Sequence, residues 1–355
     1  MLIKVGIILI NYQDYATRFL VPCRNSLRAQ TYLKELINIY IVDNASTPES
    51  RAFLKTTYPE AQILMRSDGN YAAAGNLGFK QAIADGCQYL VTVNMDTEMA
   101  ITWLEELVIA LNNNPEAGIA QSKILLFPHN EEDQKNPRLN SLGNIIHFLG
   151  FGFTSNYGEA DREIRGYPLI NGYASGCSFI IRSKAYLAAS GYNEEMYMYH
   201  DDLELSLKVR LANYNIVLAP RSRIFHKYEF TRSTKMIYYM ERNRLLMIAC
   251  FYPGFLILLI SPWLLIMELG LFFYAAIYGW FWEKVRASAY FLVRDHWSLI
   301  FKQRRQIKKN SHQEFSKLAV DFTGTIDFQE IANPLLQYFV NPLSNLYWRL
   351  IKKII

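Results

Sequence analysis

The feature that most constrains this chain is a rhythm. Across residues 1 to about 125, short apolar runs alternate with amphipathic stretches. The runs are VGIILI (5–10), INIYIVD (37–43), QILMR (62–66), QYLVTVN (88–94) and GIAQSKILLF (118–127), and their length and branched apolar content suit buried strands. Between them, TPESRAFLKTTY (47–58), AAAGNLGFKQAIADG (72–86) and MAITWLEELVIALNNN (99–114) have the apolar spacing of helices. Such alternation predicts an α/β fold with a mostly parallel sheet covered on both faces. Ligands of such sheets sit beyond the carboxyl ends of the strands. The first candidates are therefore the residues that follow each run: Asn11, then Asp43 and Asn44, then Asn94, Met95 and Asp96.

Further along, PHNEEDQKNPR (128–138) reads as a solvated loop, and a Gly-rich, aromatic stretch to about Gly172 completes what looks like an insertion. SGCSFIIRSKAYLAASGYNEE (175–195) reads as strand, turn and short helix, DDLELSLKVRLANYN (201–215) as a helix, and IVLAPRSRIFH (216–226) as a returning strand. The stretch YHDDLELS crowds Asp201, Asp202 and Glu204 together in a chain of which only 19% is charged. One reading is a solvated helix start, where carboxylates meet the positive end of the dipole; the other is a positioned general base. Asp96 has the same duality, as a helix cap or as an oxygen ligand of a divalent cation. If Asp96 holds a metal that neutralises a leaving diphosphate, a carboxylate of the 201–204 cluster can take the proton of an attacking hydroxyl. Gly176, without a side chain, would let a ligand approach the backbone closely, although a Gly in a tight strand is also unremarkable.

Beyond Arg244 the composition changes. Residues 245–282 carry one charge, Glu268, and two prolines, Pro253 and Pro262. Both prolines fall within the run Leu245 to Met267 that is long enough to span a bilayer, so two broken helices lying in or dipping into the interface are expected. Residues 284–310 interleave Trp and Phe with Lys and Arg, the combination suited to an anionic leaflet; a protein-packed appendage or an oligomer interface is the alternative. The chain accordingly divides into 1–244 and 245–355. Its 51% hydrophobic content, with 24 Tyr and 21 Phe, excludes a disordered chain. A net charge of +5, with the basic residues beside the most apolar segment, argues against nucleic acid. Four scattered cysteines without a CxxC pair point to a reducing compartment, and the opening apolar run is too short for a signal-peptide core. A Rossmann oxidoreductase lacks its fingerprint here, because NYQDYA stands where GxGxxG would follow the first strand.

In order along the chain, IILINYQD (7–14), IVDNASTPES (41–50), GNYAAAGNLGFKQA (69–82), VNMDTEM (93–99), the long stretch from Ala174 to Tyr214 and FHKYEFTRST…YYMERNRLL (225–246) resemble an inverting family-2 glycosyltransferase of the GT-A fold, of the bacterial polysaccharide rhamnosyltransferase or galactofuranosyltransferase sort. Singly these motifs are weak; in this order and spacing they are specific and cover nearly the whole chain. The resemblance implies that Asp43 contacts the nucleotide base, with Asn11 and the loop from Asn70 to Asn76 bordering the pocket. Asp96 matches the last Asp of the DxD metal motif, with Asn94 where that motif has its first Asp. Asp201 and Asp202 match the acidic pair whose second member is the base, and His226 matches a His that completes a Mn2+ or Mg2+ site. A nucleotide-diphosphate sugar donor is implied, dTDP-rhamnose ahead of a UDP-sugar, with a lipid-linked glycan acceptor at the cytoplasmic face of the membrane. A homo-oligomer is left open, and a non-catalytic, membrane-associated nucleotide-binding scaffold is the rival of another class.

Overall fold

The computed structural model describes residues 3–228, 234–327 and 334–355. Among the described residues there are eleven strands: β1 (Val5–Gln13), β2 (Ile37–Ser46), β3 (Gln62–Arg66), β4 (Tyr89–Val93), β5 (Thr97–Met99), β6 (Ala117–Leu126), β7 (Leu139–Ser141), β8 (Asn144–Ile146), β9 (Gly152–Thr154), β10 (Ser178–Arg182) and β11 (Asn215–His226). Nine of them form one sheet in the order β3-β2-β1-β4-β10-β6-β11-β5, with β7 added on β6. The first four run parallel, as the alternation predicts. The expectation of a mostly parallel sheet is corrected beyond them: β10 is antiparallel to β4 and β6, β5 to β11 and β7 to β6, so the sheet is mixed. The chain enters β10 from the 128–172 insertion and not from a helical crossover, and only the crossover imposes a parallel direction.

Helices α1 (Tyr15–Arg28), α2 (Pro48–Thr57), α3 (Tyr71–Ala84) and α4 (Trp103–Asn113) connect the early strands; α5 (Glu131–Lys135) lies in the insertion, and α6 (Ser183–Ala188) and α7 (Asp201–Leu211) follow β10. One core, with Ile7, Leu9, Leu20, Trp103 and Leu107, fills one face of the sheet. On the other face α3 rides close: a Cβ on Gly78 would lie 2.7 Å from a methyl of Ile8. A further core joins the insertion to the C-terminal helices α8 (Thr234–Phe251), α9 (Gly254–Ile277), α11 (Arg294–Asn310), α12 (Phe315–Ala319) and α13 (Asn341–Ile351), while α10 (Phe281–Ala289) packs on α8 and α9. Helix α7 lies between two cores. Leu203, Leu207 and Leu211 face the C-terminal helices, while Leu205 and Val209 face the sheet, so all of α7 except Asp202 is buried.

The division at 244/245 falls inside α8, which runs through it unbroken. Pro253 separates α8 from α9, but Pro262 does not split α9 as expected; the helix continues for 24 residues. Pro262 has no N–H for the carbonyl of Leu258, four residues back, and the hydroxyl of Ser261 donates to that carbonyl instead at 2.8 Å. By length and composition α9 could cross a membrane, yet it is tied along the protein. Tyr347 of α13 stacks on Trp263 at 5.7 Å and donates to the Leu259 carbonyl at 2.7 Å. Glu268, the single charge of the apolar segment, points inward. It pairs with Arg244 and, at 2.6 Å, with Lys284, and both cations also bind the buried Glu241. The outer face keeps Leu258, Leu265, Leu269 and Phe273 exposed, and α13 adds Leu343 and Leu346.

Candidate active site

The carboxyl ends of β1 and β2 are cross-braced. Asn11 donates to Asp43 at 2.9 Å and accepts the Ala16 N–H at 2.9 Å, which anchors the start of α1. Asp43 is fully enclosed: it accepts from Asn11 and the Ser46 hydroxyl through one oxygen and from Arg51 Nε, at 2.6 Å, through the other. Arg51 is the exposed member of this group, with 39% of its side chain open. Asn44 brackets the next turn, accepting the Gly69 N–H at 3.0 Å and donating to the Asn70 carbonyl at 3.1 Å. Asn70 caps α3 through the Ala73 N–H at 2.9 Å. Asn76 lies deeper. Its amide oxygen accepts from the Tyr186 hydroxyl and the Tyr192 N–H, and its nitrogen donates to the Tyr192 carbonyl and the Glu194 carboxylate. All four bonds an amide can make are thereby filled from within the protein.

Beyond β4, Asn94 donates its N–H to the Cys177 carbonyl at 3.0 Å and accepts from the Tyr71 hydroxyl at 3.2 Å. Asp96 stands in the turn before β5 and not at a helix start; Thr102 occupies the cap position of α4. The capping reading of Asp96 is thus overturned by a strand too short to show a period in the sequence. The Lys227 N–H donates to the Asp96 carbonyl at 2.9 Å and draws the end of β11 alongside. His226 Nε2 then lies 3.4 Å from Asp96 Oδ2, and Asp96 Oδ1 is buried with no hydrogen-bond partner. On its other side His226 Nδ1 meets Asn140 Oδ1 at 3.0 Å. Burial works against a charged His226, but Cys177 and Asp96 outweigh it and raise its pKa to about 10, so a cation bound here would displace the Nε2 proton. An orphaned carboxylate oxygen beside an oriented imidazole is a donor set that a divalent cation fits. No group of three or more His, Cys, Asp and Glu that could hold a metal exists among the described residues. Asp96 and His226 therefore suit a cation completed by substrate phosphates, as Mg2+ is commonly bound. Asn140 was not foreseen; it lies in the insertion, where nothing in the sequence marks it.

At the start of β10, the Gly176 N–H donates to Asp202 Oδ2 at 2.9 Å, and the Leu203 N–H to Oδ1 at 2.8 Å. Asp201 and Glu204 are buried, while Asp202 is only half-buried. This excludes a solvated helix start. Glu204 is paired with Lys208 at 2.9 Å. Burial pushes Asp202 up to about 6, against the two N–H donors that lower it. Asp201 is raised well above its usual range, first by burial and then by the charge of Asp202. The main cause is thus enclosure more than the crowding visible in the sequence. A Cβ on Gly176 would make only ordinary contact with Asp202, at 3.5 Å, so the visible service of Gly176 is its N–H. The bonds Asn94–Cys177, Gly176–Asp202 and Lys227–Asp96 bring Asn94, Asp96, Asp202 and His226 to one sheet edge. Residues 229–233 of the last motif lie outside the described residues.

The profile described as Glycosyl transferase family 2 matches residues 6–187. The O-antigen biosynthesis protein RfbC of Myxococcus xanthus is 25% identical over 227 residues, which is 60% of this chain and 16% of that protein. The chain spans only 16% and 17% of the length of the curated relatives it matches. In fold it is similar to GalNAc-T7, whose crystal structure holds UDP, GalNAc and Mn2+, with a TM-score of 0.54 and 14% identity over 71% of this chain and 49% of that one. It is also similar to S. aureus TarS, with a TM-score of 0.50 and 14% identity over 99% of this chain and 55% of that one.

Proposed function

This chain belongs to glycosyl transferase family 2, and from that premise we propose that it is an inverting glycosyltransferase acting on a nucleotide-diphosphate sugar, with rhamnose the favoured sugar and galactofuranose or another hexose the alternative. The observation that carries the reading is a half-buried carboxylate poised near neutrality, Asp202, on the same sheet edge as the paired Asp96 and His226. Asp202 takes the proton of an acceptor hydroxyl as that oxygen bonds to the anomeric carbon. The bond from that carbon to the diphosphate breaks on the opposite face, the nucleoside diphosphate leaves, and configuration inverts. Mn2+ or Mg2+ held by Asp96 and His226 would neutralise charge developing on the departing phosphate. The Gly176 N–H keeps Asp202 aimed, and Asn140 keeps His226 aimed.

The fold shared with GalNAc-T7, whose structure holds UDP and Mn2+, supports a nucleotide donor and a divalent cation. The match to an O-antigen biosynthesis protein supports a growing cell-surface polysaccharide or lipid-linked glycan as acceptor. The exposed apolar face of α9 and α13, with Lys302, Arg305, Lys308 and Lys309 on α11, supports work at the cytoplasmic leaflet.

The test is to incubate the purified full chain with Mn2+ and dTDP-rhamnose, UDP-galactofuranose or common UDP-hexoses and a lipid-linked acceptor. Free nucleoside diphosphate and the anomeric configuration of the product are followed. Transfer with inversion from one donor is expected. Retention would overturn the mechanism, and nucleotide binding without turnover on any donor would favour the scaffold.

A further inference from the structure

The loop that delivers the acidic pair runs in a conformation its residues do not favour. Tyr197, Tyr199 and His200 have φ of 64°, 62° and 61°, a region where an L side chain crowds its own backbone. At Tyr197 ψ is −63°, and the Met198 N–H donates to the Met196 carbonyl at 2.7 Å. That is the γ-turn of the rare, strained hand. Strain of this kind persists only where the surroundings over-determine it.

Asn243, fully buried in α8, supplies a central part of the restraint, beside the Arg242 guanidinium, which reaches the Met196 carbonyl at 3.1 Å, and the Tyr71 N–H, which donates to the Tyr197 carbonyl at 2.7 Å. Its Nδ2 lies 2.8, 2.8 and 2.7 Å from the carbonyl oxygens of Met196, Met198 and Tyr199. Its Oδ1 accepts from Arg242 Nε at 2.9 Å and from a second guanidinium nitrogen at 2.7 Å. A guanidinium only donates and a carbonyl only accepts, so this pairing orients the amide. Two residues beyond Tyr199, α7 begins, and the His200 carbonyl accepts the Glu204 N–H at 2.8 Å in its first turn. The course of the loop therefore sets where the first turn of α7, and with it Asp202, stands.

We infer that Asn243 is a positioning residue: by gathering three carbonyls of the 196–199 turn it holds the left-handed loop that places Asp202 at the reaction edge. The inference rests on the reading of Asp202 as the base. It connects the catalytic carboxylate to a helix that continues into the apolar C-terminal region.

The experiment measures kcat, donor KM and the pH profile for Asn243→Ala, Asp202→Asn and the double variant in the full chain, with folding checked by near-UV circular dichroism. Asn243→Ala should keep donor KM and lose about 10²-fold in kcat, the scale of a misplaced catalytic group. Its acid limb should move to lower pH as water reaches Asp202. In the Asp202→Asn background the same substitution should cost little. Glycine accepts positive φ freely, so Tyr199→Gly combined with Asn243→Ala should regain part of the lost kcat. Full kcat with an unmoved acid limb in folded Asn243→Ala would overturn the inference, as would an equal loss in the Asp202→Asn background. Loss of folding that Tyr199→Gly does not restore would likewise overturn it, marking the amide as a brace for the fold alone. If Asp202→Asn itself keeps full turnover, the base assignment has failed. If Asp202→Asn is inactive while Asn243→Ala is unaffected, only the positioning role has failed.

Discussion

Asp202 illustrates how one half-buried carboxylate acquires a working range. On the proposed reading Asp202 is the base and must be unprotonated to act, and burial raises it to about 6; kcat should therefore fall as pH drops through that value and level off above it. Asp202→Asn keeps the size and removes the basicity, so turnover should drop by roughly 10²- to 10⁴-fold while nucleotide titration still shows donor binding. A loss of donor affinity with kcat intact would contradict the assignment. Asn140 acts one step further out. Replacing it with Ala should weaken Mn2+ binding by about 10- to 100-fold, read by Mn2+ titration with nucleoside diphosphate present, and chelation should stop transfer by the native chain until Mn2+ or Mg2+ is returned. Asp96, Asp202 and His226 could be picked out in the sequence because each abuts a strong pattern, a strand end or an acidic cluster, and their roles belong to the proposed function. Asn140 could not, since its meaning comes from β7 pairing with β6, a contact that a loop of ordinary polar composition does not announce.

Among the elements, the parallel half of the sheet followed directly from apolar periodicity, while strand direction in the other half did not. Period reports which face is buried, whereas direction depends on the path taken between strands, and the insertion before β10 hides that path. Pro262 shows another limit: a helix break read from proline was averted by the Ser261 hydroxyl beside it. The placing of α9 depends on its one charge. Glu268 and Glu241 share Arg244 and Lys284 inside the protein, and removing one cation leaves two buried carboxylates to share the other. Lys284→Met should accordingly destabilise the chain by about 3–5 kcal/mol, the range for breaking a buried pair, seen as a lower denaturant midpoint. A midpoint unchanged from the native chain would show that α9 is held by apolar packing alone.

For the whole molecule, the C-terminal helices are structural partners of the N-terminal half. They cover Leu203, Leu207 and Leu211, so a chain ending after Arg244 should be recovered in aggregates, with the full chain as the soluble control in detergent. The intact protein should pellet with membranes. High salt should remove only the share owed to α11, because exposed charges are screened and buried apolar area is not. A full chain that floats free of anionic vesicles at low salt would leave the outer face of α9 to a protein partner instead. The position of α7 between two cores also has a consequence in time. During synthesis the strands around Asn11, Asp43 and Asp96 leave the ribosome before α7, and α7 gains its second set of neighbours only when α11 and α12 have emerged. A nascent chain can thus form the edge that carries Asp43 and Asp96 well before the helix that carries Asp202 is seated.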